Sequence, residues 1–133
     1  MFRFLRRWIW VLCLLFVFAP LPAVEARDRA PSDRWVSTPV WSSTSRLTAE
    51  ENARAHWLKH RNEFPELRSL REYIEAAHRF MNSPPEGTLV KRRPNGDTLF
   101  YHPPTNTFAV RAHYGAPRTM FRPRNGIEYW NRQ

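Results

Sequence analysis

The chain has one cysteine in 133 residues, Cys13, and it lies in the first stretch of the sequence. Nothing downstream carries a thiol. That excludes a disulfide framework, cysteine-ligated zinc and a cysteine nucleophile for the rest of the protein. Lysine is almost as scarce: only Lys59 and Lys91 lie beyond the N-terminal stretch, so arginine carries the positive charge. Long apolar runs are missing too. Trp8 to Ala19 spans twelve residues, against the roughly 20 that a membrane-spanning helix needs.

That short run has a recognisable setting. Three arginines, Arg3, Arg6 and Arg7, precede it, Pro20 and Pro22 end it, and Ala23-Val-Glu-Ala26 supplies small residues. A basic segment, a short apolar segment and a small-residue cleavage point predict a secretory signal peptide over residues 1–26. Leu12 before Cys13 argues against lipidation. The expected product is exported, periplasmic or secreted, with no membrane span after cleavage. It would hold 107 residues and carry +7, because the net +9 of the whole chain loses three arginines and one glutamate. That length suits one small domain, expected to be monomeric. An arginine-rich basic domain points to phosphate, and so to nucleic acid or an anionic surface.

Residues 27–47 lack sustained periodicity and read as a linker or extended arm able to dock through Trp35 and Trp41. The folded domain is expected over 48–133. Thr48-Ala-Glu-Glu51 and Ser69-Leu-Arg-Glu72 are capping boxes that open two helices. In the first, Ala49, Ala53, His56, Trp57 and His60 share one stripe. In the second, Leu70, Tyr73, Ile74, Ala77, Phe80 and Met81 do so. After Gly87 the period becomes two. Strands over 88–93, 98–102, 107–113 and 118–122 are separated by turn sequences, among them Pro94-Asn-Gly-Asp97. Short connections imply an antiparallel meander. The expected class is α+β: two helices packed on one face of a four-stranded sheet, the other face open to a ligand, and a short aromatic tail at the end.

His56-Trp-Leu-Lys-His60 is the sharpest chemical feature. Spacings of three and four put His56, Lys59 and His60 on one helix face. Two imidazoles can remove a proton from a ribose 2′-OH and return one to the departing 5′-oxygen, and a nearby cation can stabilise the phosphorane. The same spacing also suits a metal at His56 and His60 with a third histidine, or plain packing against the second helix. A zinc peptidase would need glutamate where Trp57 stands. On the strands, Arg111 is suited to hold a phosphate and Thr119 to donate to one. Lys91, Arg92, Arg93, Arg118, Arg122 and Arg124 can follow an RNA backbone.

From about Ala53 to Trp130 the sequence resembles the ribonuclease domains of bacterial polymorphic and contact-dependent inhibition toxins, within the barnase/EndoU/colicin/RelE-like nuclease group. The residues concerned are His56-Trp-Leu-Lys-His60 with Glu63-Phe64; Glu72-Tyr73, Ala76-Ala77 and Phe80; Pro84-Pro85 with Gly87-Thr88; Arg93-Pro-Asn-Gly-Asp97; Tyr101, Pro103, Thr105-Asn106 and Phe108-Ala-Val110; and Arg118-Thr119-Met-Phe121 with Pro123. The chain departs from the pattern at Arg61, often glycine, and at His102, often aspartate. The resemblance implies a metal-independent ribonuclease without a cofactor, of a kind often directed at tRNA. It puts the site between the first helix and the sheet, and matches His60, His56 and Thr119 to functional positions. For a toxin it also implies a cognate acidic immunity protein. The expected roles are His60 as general base and His56 as acid, a reversible pair, with Lys59 and Arg111 stabilising charge and Thr119 positioning phosphate. The competing expectation is a non-catalytic cationic protein of the cell envelope.

Overall fold

The computed structural model describes residues 39–133. The expected signal peptide and the arm up to residue 38, Trp35 included, lie outside the described residues. The rest is α+β: helix α1 (Ala49–His60), a 3₁₀ turn (Arg61–Glu63), helix α2 (Leu70–Asn82), then strands β1 (Leu89–Arg92), β2 (Thr98–His102), β3 (Thr107–Arg111) and β4 (Pro117–Phe121), then helix α3 (Gly126–Asn131). The four strands form one antiparallel sheet in the order β1-β2-β3-β4.

Local chemistry sets these boundaries. The Thr48 side chain accepts from the Glu51 N–H, and the Glu51 carboxylate accepts from the Thr48 N–H at 2.8 Å, closing a full capping box on α1. On α2 the box is half made. Ser69 Oγ accepts from the Glu72 N–H, but the Glu72 carboxylate accepts from Arg68 N–H instead. The loop between β1 and β2 depends on Gly96. Its φ is +85°, and a Cβ there would lie 2.9 Å from that of His113, so backbone conformation and space both demand glycine.

One sheet face and the helices enclose the main core. Trp41, Ala53, Phe64, Tyr73, Ala77, Met81, Phe100, Ala109 and Met120 are buried there together. Tyr73 is at its centre. Its ring meets Trp41 and Trp57, each at 5.5 Å between centroids, and its hydroxyl donates to the Met120 carbonyl of β4. Burial pushes this phenol's pKa up, so it stays a donor. Trp41 is 1% exposed. The Ser42 N–H donates to the Pro117 carbonyl, and Asn52 Nδ2 donates to the Ser42 carbonyl. Residues 41 and 42 of the expected arm are therefore fixed across β4 and α1.

The second face is not open as expected. Leu99, Tyr101, Phe108, Val110 and Trp130 form a second buried cluster, with Phe121 and Tyr129 packed on it. The segment expected as a tail is α3, and its apolar side closes part of this face. Lys91 Nζ donates to the Trp130 carbonyl and lies 4.6 Å from the Trp130 ring centroid, so one of the two lysines secures the C-terminal helix.

Candidate active site

Helix α1 packs against β4, at the edge of the sheet. The predicted stripe is observed: Ala53 and His60 are buried, and Ala49, His56 and Trp57 are half-buried. The two histidine rings stack at 5.9 Å between centroids, and His60 stacks on Phe121 of β4 at 5.2 Å. Thr119 Oγ1 lies 3.3 Å from His56 Nδ1. Trp41 backs His56 at 5.7 Å. Helix and strand thus bring His56, His60 and Thr119 together at one place.

Their electrostatics differ. His56 has its pKa pushed down to about 4, chiefly by burial, with repulsion from His60 and Lys59 adding to it. At neutral pH His56 is an uncharged imidazole. Lys59 is exposed on the same helix, close enough to act on His56 through its charge.

Arg111 is placed elsewhere. Val110 pairs with Thr119, and both lie toward the second face, whereas Arg111 follows Ala109 toward the helices after a bulge between Val110 and Arg111. Its Nη1 donates to the Met81 carbonyl at 3.1 Å, and its guanidinium lies over Phe100. This arginine satisfies an orphan carbonyl near the end of α2 and does not join the histidines. Two other arginines are also spent on the scaffold. Arg118 pairs with the buried Asp97 at 2.9 Å, tying β4 to the loop between β1 and β2, and Arg122 pairs with Glu66 at 2.6 Å. At the expected point of departure, His102 Nδ1 engages the Thr105 hydroxyl at 2.8 Å.

A residue to which the sequence assigns no role sits beside the site. Glu63, in the 3₁₀ turn after α1, accepts from His60 Nδ1 at 3.0 Å. The available signal was its i+3 spacing from His60. Among the described residues, no three His, Cys, Asp or Glu side chains converge so as to hold a metal, and no third histidine completes the alternative site at His56 and His60. A surface groove of about 480 Å³ lies beside α1 and α2, lined by Val40, Arg54, Leu70, Ile74 and His78, and none of the clustered histidines borders it. Among the described residues no helix is long and apolar enough to cross a membrane. Compared with known proteins, the chain matches no protein-family model and no curated sequence.

Proposed function

We propose that the protein is an exported, metal-independent endoribonuclease that works by transesterification. The observation that carries this reading is the meeting of His56 and His60 with Thr119. In this reading two N-terminal helices on a four-stranded meander form the scaffold, and the end of α1 supplies the chemistry. The neutral His56 takes the 2′-OH proton, the 2′-oxygen attacks phosphorus, and the P–O5′ bond breaks. His60, as imidazolium, gives its proton to the leaving 5′-oxygen. The products are a 2′,3′-cyclic phosphate and a 5′-OH end.

The depressed pKa of His56 favours this assignment over the reverse, because a general base must be unprotonated at the start. A bound phosphate anion offsets the repulsion from Lys59 and His60, the smaller causes of the shift, and so raises the basicity of His56 in part as the reaction begins. Lys59 supplies positive charge at the phosphate. Thr119 orients His56, and Arg111 serves the fold. The charge of +7 expected for the mature chain, carried mainly by arginine, suits RNA as substrate, tRNA included. The signal-like residues 1–26 support action in the periplasm or outside the cell, as a monomeric toxin-like effector with an acidic immunity protein as partner.

The test is incubation of mature protein with total RNA in excess EDTA. Wild type is expected to cleave and His60→Ala to lose cleavage. An inert wild type, or equal cleavage by both, overturns the reading. A cationic envelope-binding protein would instead show salt-sensitive binding without turnover.

A further inference from the structure

Glu63 makes contacts that a surface carboxylate does not need. Its Oε1 accepts from His60 Nδ1 at 3.0 Å, and its Oε2 accepts from the backbone N–H of Arg122 at 2.7 Å. The guanidinium of Arg122 is directed elsewhere. Its Nη1 donates to the Glu63 backbone carbonyl, its Nη2 pairs with Glu66, and its plane lies over Phe64. So the Glu63 side chain is anchored by a neutral donor, and among the described residues the ion-pair partner within reach of its carboxylate is the His60 ring. A glutamate kept only to anchor the turn would gain more from the guanidinium itself.

We propose that Glu63 is the positioning residue for His60: its carboxylate holds the Nδ1 proton, leaves Nε2 as the nitrogen that exchanges a proton with substrate, and balances the charge of the imidazolium. The proposal rests on the ribonuclease reading and adds a residue to it. A carboxylate on one ring nitrogen fixes the tautomer and orientation of a histidine that transfers protons through the other. His60 is 7% exposed. A charge forming on so buried a ring needs a partner within contact distance. The 3₁₀ turn supplies one by placing Glu63 three residues after His60. The backbone of β4 then fixes the carboxylate, so the ring and the strand bearing Thr119 and Phe121 are set by the same contact.

Among the described residues, the other charged or titratable groups near the His60–Glu63 pair are His56 and Lys59 on α1, Arg61 in the turn, Arg122 just after β4 with Glu66 held on its guanidinium, and the Tyr73 hydroxyl of α2, which burial keeps neutral. With Glu66 committed to Arg122, none of them offers His60 a second carboxylate.

The test compares wild type, Glu63→Gln and Glu63→Asp by pH–rate profile on RNA and by nitrogen-15 NMR of the histidine rings. Glu63→Gln is expected to lower kcat on the order of 10²-fold, move the alkaline limb of the profile to lower pH, and abolish the preference of neutral His60 for the Nδ1–H form. Glu63→Asp, which keeps the carboxylate, is expected to recover part of each effect and provides the comparison if the glutamine variant fails to fold. An unchanged alkaline limb and an unchanged His60 tautomer in Glu63→Gln overturn the proposal, even if activity or stability falls. The NMR result is independent of turnover. An inert wild type defeats the ribonuclease reading, while the tautomer still decides whether Glu63 governs His60.

Discussion

The helix-side core and the edge of β4 are built from similar aromatic residues but use them differently. Around Tyr73, rings pack into a buried interior and the Tyr73 hydroxyl is consumed by the Met120 carbonyl. A few residues away, His56, His60 and Phe121 also stack, yet two of these rings carry titratable nitrogens and lie beside a hydroxyl and a carboxylate. Trp41 touches both regions, contacting Tyr73 on one side and His56 on the other. The core consumes its polar group internally, whereas the edge holds titratable rings beside polar partners, and in the proposed function those rings exchange protons.

Substitutions in the two regions should therefore fail in different ways. The largest expected effect is on the edge. His56→Ala should lower RNA cleavage by about 10²- to 10⁴-fold with little loss of stability, read by initial rates beside a thermal melt. A comparable loss of stability would erase the distinction. Next is Trp41→Ala, which removes a fully buried ring and should cost about 3–5 kcal/mol in denaturant unfolding. Because Trp41 also backs His56, any protein that remains folded should cleave poorly. Tyr73→Phe should cost about 1–3 kcal/mol by leaving the Met120 carbonyl without its donor, with cleavage per folded molecule unchanged.

The elements that were legible in the sequence share a physical basis. Thr48 with Glu51 announces a helix start, and the Pro94 to Asp97 turn announces a hairpin; both signals are local. The four antiparallel strands arise from period-two stretches joined by short turns. Helix α3 was not legible, because six residues are too few to show a helical period and Ile127, Tyr129 and Trp130 read equally well as a tail. In the site, the i, i+4 spacing placed His56 with His60, since helix geometry is local. Arg111 and Thr119 needed strand register. Only the pairing of Val110 with Thr119, and the bulge after it, shows that Arg111 belongs to the other face. Glu63 lies past the end of α1: its i+3 spacing from His60 is visible in the sequence, but the 3₁₀ turn that keeps the two side chains together is not.

Smaller effects sharpen the same contrast. His56 titrates near 6.5 when unfolded and near 4 when folded, so between those values the unfolded chain binds more protons. Its contribution to stability is complete above about pH 6.5 and is lost as pH falls toward 4. Discounted for a half-exposed ring, the loss is on the order of 1–2 kcal/mol. Burial shifts His78 in the same direction, adding to the acid sensitivity. Urea unfolding at pH 7 and pH 4.5 measures the sum, and in His56→Ala the difference should shrink. Arg111→Ala should cost about 1 kcal/mol through the lost bond to Met81 and leave cleavage unchanged. A large fall in kcat at unchanged stability would return Arg111 to the site.

The most direct measurement uses an RNA oligonucleotide cleaved by the mature protein in EDTA and a matched one with a single 2′-deoxyribose 5′ to the scissile phosphate. Attack by the 2′-oxygen requires that hydroxyl. The expected result is a 2′,3′-cyclic phosphate and a 5′-OH end from the first oligonucleotide, and no cleavage at that position in the second. Cleavage of the deoxy-substituted bond, or a 5′-phosphate end, would contradict a histidine-driven transesterification at His56 and His60.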